Sequence, residues 1–383
     1  MDIITWYNTN FEHQLSGRYI TLNDINPIIE SYGNKIEIIE IGKSELEKDI
    51  HLLRIGSGKK NVLAWSQMHG NESTTTKAIF DFLKFLTQLD NFQEEINRFK
   101  DEYSLYVIPM LNPDGAERYT RVNANEVDLN RDAKNLSQSE SRFLNTVFTS
   151  IQPYLCLNLH DQRTNYGLDN TLPATVSFLS PSANEKRDLT ASRKTAMNYI
   201  VKMNAFLQQI IPNQVGRYDD SFNDNCVGDK FQMAEVPTIL FEAGHYKRDY
   251  MRDITRKFIF GALISLFDIQ ANASTNWGTG DYFKIPENRI NYKDIILNNV
   301  KHPKYKKPIK VSIQYEEELS GDTIVFIPVV NDINVPDKIY AHNIIDLKGE
   351  EVLINSQQNI YIGQKISEIT NKNGDLIDIF LKS

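Results

Sequence analysis

Four apolar runs in this sequence lead into polar residues of the kinds that do chemistry, and this coincidence constrains the fold more than any other feature. The runs are "NVLAWS" at 61–66, leading to His69; "SLYVIPML" at 104–111, leading to Asn112; "YLCLNLH" at 154–160, ending on His160; and "PTILFEAG" at 237–244, carrying Glu242. Runs of this length read as strands. "KIEIIEI" at 35–41 and "DIHLLRI" at 49–55 alternate and read as further strands. Between them "STTTKAIFDFLKFLTQL" at 73–89 has helical spacing and a Ser/Thr start, and the spans 183–211 and 247–270 carry helix-type patterns. Strands alternating with helices predict an α/β fold, a mixed, mostly parallel sheet with helices on both faces. Ligands of such sheets bind outside the carboxyl ends of the strands. His69, Asn112, His160 and Glu242 therefore point to one site at one sheet edge.

At 383 residues the chain exceeds the roughly 100–200 of a single domain. Across Ser274–Arg289 its character changes. "IKVSIQYEEEL", "DTIVFIPVV", "EEVLI", "NIYIGQKI" and "DLIDIFLK" follow, separated by turn signals such as Ser320-Gly321 and Asn373-Gly374, with no helical pattern between them. The expected division is a catalytic domain over 1–285 and a small all-β domain over 290–383.

The formal charge of −8 argues against a nucleic-acid partner, which needs a clustered basic surface. The one basic run, Lys301–Lys310, reads as a solvated linker. Two cysteines, Cys156 and Cys226, are too few for a disulfide framework and fit a reducing compartment. No stretch approaches the ~18 uninterrupted apolar residues of a spanning helix, and the start "MDIITWYNTNFEHQ" lacks the n- and h-regions of a signal peptide. The expectation is a cytoplasmic protein that engages no membrane.

Taken alone, His69-x-x-Glu72 is a Gly-Asn turn opening a helix, with Glu72 favoured by the helix dipole. It is not the H-E-x-x-H pattern, in which both histidines share one helix face. Glu242 is harder to read as incidental, since a carboxylate after three apolar residues needs a partner if buried. One cation would satisfy all of these residues. Zinc held by two imidazoles and a carboxylate, with a fourth position open, is the arrangement of hydrolytic zinc sites.

In order along the chain, "HGNE" at 69–72, "NPDG" at 112–115, Arg121, "VDLNRD" at 127–132, His160 and "FEAG" at 241–244 resemble the motif set of zinc carboxypeptidases of the carboxypeptidase A type. The resemblance covers about residues 5 to 270. It implies one zinc per chain, with His69, Glu72 and His160 as ligands. Glu242 then matches the family's general base, which takes a proton from zinc-bound water and passes it to the leaving nitrogen. Arg121 matches the arginine that helps stabilise the oxyanion of the tetrahedral intermediate, with Arg118 as the competing choice. Asn130 and Arg131 match the pair that holds a substrate's terminal carboxylate. Asp128 matches the carboxylate that orients a zinc histidine, here His69, although a plain helix cap is the competing reading. Tyr218 is a candidate for the family's mobile substrate-capping tyrosine.

Departures stand beside these matches. Ala133 follows "NRD" where the family usually has an aromatic residue, and the spacing of Tyr218 is imperfect. Asp219, Asp220, Asp224 and Asp229 crowd one segment, either to favour a basic substrate group or, the preferred reading, as a self-capped loop. His245 lies close enough to Glu242 along the chain to support it. The leading expectation is hydrolysis of the C-terminal amide bond of a peptide. An amidohydrolase releasing an amino acid from an N-acyl amino acid, similar to desuccinylases and aspartoacylases, shares the motif order and a β-rich C-terminal domain. A catalytically silent zinc- or peptide-binding module is the alternative of another class. The substrate in either enzymatic reading is a peptide or N-acyl amino acid with a free carboxylate.

Overall fold

Nine strands occur before residue 288 in a computed structural model that describes residues 2–269 and 278–381. They are β1 (Glu37–Lys43), β2 (Asp49–Ile55), β3 (Lys60–Ser66), β4 (Tyr103–Ile108), β5 (Leu155–Asp161), β6 (Tyr166–Gly167), β7 (Val176–Leu179), β8 (Val215–Arg217) and β9 (Thr238–Ala243). All but β6 form one eight-stranded sheet in the order β1-β2-β4-β3-β5-β9-β7-β8. The central strands β4, β3, β5 and β9 are mutually parallel. Strands β1 and β2 join antiparallel on one side, and β7 joins β9 antiparallel on the other. The sheet is thus mixed, with its parallel part where the four chemically marked runs lie.

Burial on both faces explains why those runs are so largely apolar, although the buried Asn158 interrupts one of them. Val62 and Ala64 of β3, with Leu155, Leu157 and Leu159 of β5, face one core that includes Phe80 and Phe82 of the helix Thr74–Thr87, Met197 and Ile200 of Ala191–Leu207, and Ile259 and Leu263 of Asp253–Leu266. The alternate residues Leu63, Trp65 and Cys156 face a second core with Phe143, Leu144 and Val147 of the helix Ser139–Ile151 and Phe231 of Val227–Met233. Helices therefore cover both faces.

The two predicted helical spans are realised as the shorter helices Ala191–Leu207 and Asp253–Leu266. Polar segment 112–138, which has no apolar periodicity, still contains the helix Pro113–Arg118 and a single 3-10 turn at Leu129–Arg131.

The described residues divide into two compact units, one of residues 1–162 and 174–288, the other of Arg163–Pro173 with the residues from Arg289 onward. The inclusion of 163–173 in the second unit is absent from the sequence expectation. Of the transition stretch Ser274–Arg289, residues 274–277 lie outside the described residues. In the second unit β10 (Arg289–Ile290) pairs with β6, and β11 (Tyr292–Val300), β12 (Ile309–Ser320), β13 (Thr323–Ile333) and β14 (Tyr340–Asp346) form a sheet in the order β13-β12-β11-β14. Its core gathers Ile295, Leu297, Val311, Ile313 and Val330. No helix occurs among its described residues.

Candidate metal centre

The carboxyl ends of β3, β5 and β9 bring His69, Glu72, His160 and Glu242 to one edge. Beyond β3 the chain turns at Gln67, whose φ of +48° is left-handed, a strained conformation for a residue other than glycine. Buried hydrogen bonds hold it there: its Nε2 donates to Ile20 O at 2.8 Å and Gly70 O at 2.9 Å, and its Oε1 accepts from Thr76 Oγ1 at 3.0 Å. The turn closes with Glu72 N donating to His69 O at 3.0 Å. Gly70 is obligatory, because a Cβ there would sit 2.0 Å from the Gly115 carbonyl carbon. Asn112 joins the two loops, accepting from Gly115 N at 2.8 Å and donating to Met68 O at 3.1 Å.

His69 Nδ1 lies 2.8 Å from Glu72 Oε1, His160 Nδ1 lies 2.9 Å from Glu72 Oε2, and the two Nδ1 atoms are 3.2 Å apart. All three residues are buried, and their ligating atoms lie within 4.8 Å of one another. On the far side of its ring His69 Nε2 meets Asp128 Oδ1 at 3.0 Å. With the proton on Nε2, the Nδ1 lone pair of His69 faces Glu72 and His160. Two ring nitrogens and a carboxylate directed at one point are an electron-rich cluster that a cation resolves, and this donor set suits zinc.

Asp128 makes contacts on several sides. Besides orienting His69 it accepts Asn130 N at 2.9 Å, which caps the turn Leu129–Arg131, and it binds Arg121 Nε at 3.1 Å. Arg121 also reaches Glu72 Oε1 at 3.3 Å, whereas Arg118 donates to Asn123 O at 2.7 Å. The structure places Arg121, and not Arg118, against the cluster.

The charges have definite causes. Burial alone would raise Glu72, but the charge of His69 and hydrogen bonds from His160 and His69 hold it well below the usual carboxylate range. Burial likewise opposes ionisation of Asp128, and the His69 contact and Arg121 outweigh it in lowering its pKa. Glu242 is the opposite case. It sits beside His160 in the parallel register of β5 and β9, and its Oε2 is buried without a partner. Burial, then the negative charges of Glu72 and Asp161, push its pKa well up.

Asn130 is buried, with Oδ1 accepting from Val227 N at 3.3 Å, and the neighbouring Arg131 side chain is exposed and donates to Asn130 O at 2.9 Å. Tyr218 follows β8 directly and is half-buried, with its N–H on Phe178 O at 2.9 Å. Ala133, in the place of the usual aromatic, packs in the core of Leu129, Val227 and Phe231. The acidic segment is engaged internally: Asp220 pairs with Arg187 and Arg193, Asp224 with Lys134, and Asp229 accepts Asn223 N. His245 is buried against Tyr250, ring centroids 4.5 Å apart. Sequence reasoning missed Gln67, whose strained φ leaves no pattern in the letters, and Asp161, which adjoins His160 but reveals its contacts only in three dimensions.

A mixed sheet with helices on both faces thus carries a buried His-Glu-His cluster at its carboxyl edge. Residues 22–209 match the family model of zinc carboxypeptidases. Glu242 lies beyond the matched residues. A zinc carboxypeptidase of Saccharothrix mutabilis subsp. capreolus is 25% identical over 103 residues, 25% of this chain and 24% of that protein. Mouse carboxypeptidase M is 23% identical over 190 residues, 43% of each chain. The matches thus span less than half the length of these curated relatives. Among solved structures, a metallo-carboxypeptidase of Pseudomonas aeruginosa superposes with a TM-score of 0.52 at 17% identity, covering 64% of this chain and 68% of its own. One from Burkholderia cenocepacia gives 0.52 at 14% identity over the same shares. These superpositions establish likeness of fold.

Proposed function

We propose that the protein is a zinc-dependent carboxypeptidase that hydrolyses the C-terminal amide bond of peptides, with one zinc per chain held by His69, Glu72 and His160. Zinc in that position supplies Lewis acidity, acidifying water and polarising the scissile carbonyl. Glu242 acts as general base and then general acid. Its carboxylate takes a proton from the attacking water as the C–O bond forms, and returns it to the amide nitrogen as the C–N bond breaks. Arg121 lends positive charge to the developing oxyanion. Asn130 and Arg131 bind the substrate's free carboxylate, the guanidinium offering its planar fork. Asp128 keeps His69 in the tautomer whose Nδ1 faces the cluster. Tyr218 closes over the substrate.

The observation that carries this reading is the buried, unpartnered Oε2 of Glu242 beside His160, since a module that only bound metal or peptide would need no such group. No described helix is long and apolar enough to cross a membrane. Cys156 and Cys226 are both unpaired thiols, and on that ground we assign the protein to a reducing, cytoplasmic compartment. The test is a substrate panel of peptides with free and with amidated C-termini, γ-glutamyl peptides and N-acyl amino acids, each with and without chelator. Chelator-sensitive release of the last residue from free-carboxylate peptides is expected. Turnover confined to N-acyl amino acids would replace the peptidase with the amidohydrolase reading.

A further inference from the structure

We propose that Asp161 is a positioning residue of the His69–Glu72–His160 cluster, tying the strand end that carries His160 to the helix start that follows Glu72; this rests on the zinc reading above. Asp161 is the next residue after His160 and is buried. Its Oδ2 accepts Thr74 N at 2.9 Å and its Oδ1 accepts Thr75 N at 3.2 Å, the first two residues of the helix Thr74–Thr87. Its own N–H donates to Glu72 Oε2 at 3.1 Å. One residue thus holds Glu72 twice, gripping the ligand carboxylate through its main chain and the turn beneath it through its side chain.

The helix depends on this outside group. Its own N-cap residue, Ser73, makes no side-chain cap and instead donates Oγ to Arg18 O at 2.6 Å. Leading N–H groups of a helix have no partner within it, and a carboxylate there also meets the positive end of the dipole. Here the carboxylate comes from a neighbouring strand, so capping the helix and joining two metal ligands are the same contact.

Arg252 fixes the strand end behind Asp161. Buried, with a left-handed φ of +61°, it donates from Nη2 to Gln162 O at 3.0 Å and from Nη1 to Ala243 O at 2.9 Å and to Gly244 O. These carbonyls lie one or two residues past His160 and Glu242 on adjacent strands. Arg252 therefore holds the ends of β5 and β9 side by side, and its charge and that of Arg18 act on Asp161.

If Asp161 were only a helix cap, losing it would lower stability and leave metal affinity alone. Zinc affinity separates the two roles. In the full chain it is measured by competition with a chromophoric chelator for the parent, Asp161→Ala, Asp161→Asn and Thr190→Ala. Thr190 supplies a control cap, its Oγ1 accepting Arg193 N at 3.3 Å at the start of Ala191–Leu207. Asp161→Ala is expected to weaken zinc binding by about 10–100-fold, as for other groups that orient metal ligands. Asp161→Asn, keeping one acceptor oxygen, should fall between Ala and parent, and Thr190→Ala should lower stability with zinc affinity unchanged. Amide exchange at Thr74 and Thr75 in the metal-free protein should quicken in both Asp161 variants.

An Asp161→Ala protein that binds zinc within two-fold of the parent, or an equal loss in Thr190→Ala, overturns the proposal. Should Asp161→Ala not fold, Asp161→Asn decides alike, and parental affinity there overturns it. A parent that binds no zinc would overturn the metallopeptidase reading instead, while amide exchange would still show whether Asp161 holds the helix start.

Discussion

Replacing Glu242 by Gln removes a proton acceptor while keeping size and shape, and the structure gives it two opposite consequences. As general base, Glu242 should be worth roughly 10²–10⁴ in kcat, which is about 2.7–5.5 kcal/mol of barrier. None of the contacts among His69, Glu72 and His160 runs through Glu242, so zinc affinity should stay near that of the parent. Stability of the metal-free protein should move the other way. Burial and the charges of Glu72 and Asp161 raise the folded-state pKa of Glu242 above the ordinary glutamate value of 4.5. The folded state then binds more protons than the unfolded chain from just above that value upward, so stability falls as pH rises through this window. Glu242→Gln abolishes that slope and should unfold at higher denaturant than the parent at pH 7, with little difference near pH 4. Single-turnover hydrolysis of a free-carboxylate peptide, zinc competition and urea titrations at the two pH values provide the measurements. A variant that keeps zinc and hydrolyses as fast as the parent would refute the assignment of the base. Equal stability of the two metal-free proteins at pH 7 would refute the electrostatic account of its environment.

Three other substitutions probe separate parts of the argument. His160→Ala should lower bound zinc from about one per chain to a small fraction after dialysis, measured by metal analysis; full occupancy would remove His160 from the ligand set. Arg131→Ala should reduce kcat/KM for free-carboxylate peptides by about 10–150-fold, the roughly 1.5–3 kcal/mol of a hydrogen bond to a charged group, with a smaller effect on amidated peptides. An equal effect on both would show that Arg131 does not read the carboxylate. Asp81→Leu strands the guanidinium of Arg256, which now meets Asp81 Oδ1 at 2.5 Å with both side chains buried, and should cost about 3–5 kcal/mol in urea unfolding. A loss below 1 kcal/mol would mean that Arg256 finds other acceptors.

The parallel centre of the sheet was legible because strands buried on both faces are largely apolar, as Val62–Trp65 is, and because the chain marks their carboxyl ends with polar residues. The resemblance to zinc carboxypeptidases pointed to His69, Glu72 and His160, and the structure brings their candidate ligand atoms within 4.8 Å of one another. Other elements left too little pattern. Strand β7 has four residues and β8 three, shorter than a period-2 signal needs, and both exist through their neighbours in the sheet. Arg163–Pro173 reads as a loop after His160, and its membership in the second unit follows from contacts distant in sequence, such as Gln314 Nε2 donating to Thr164 Oγ1 at 2.6 Å. The preference for Arg121 over Arg118 rested on the resemblance alone, and only coordinates show how the two differ, Arg121 reaching Asp128 and Arg118 reaching Asn123 O.

What separates a catalytic acid from a structural one in this chain is the state of its oxygens. Burial raises the pKa of Asp81, Glu140, Asp249 and Glu242 alike, so burial does not single out a base. Asp81 accepts from Arg256, Tyr7 OH and Glu12 N, and Asp249 accepts from Ile254 N, Thr255 N and Thr255 Oγ1. Glu140 accepts from Asn123 and faces the N–H of Glu45. Asp114 has a buried Oδ1 without a hydrogen bond, but Lys48 Nζ stands 3.9 Å from it. Among the described residues Glu242 Oε2 has no hydrogen-bond donor, and of the charges that act on Glu242 those of Glu72 and Asp161 oppose its ionisation while that of Arg121 favours it. An arrangement that raises the energy of the folded chain in this way persists where a ligand supplies the missing partner. Water and a peptide nitrogen are such partners, which is why the least satisfied carboxylate at this edge is the one assigned to move the proton.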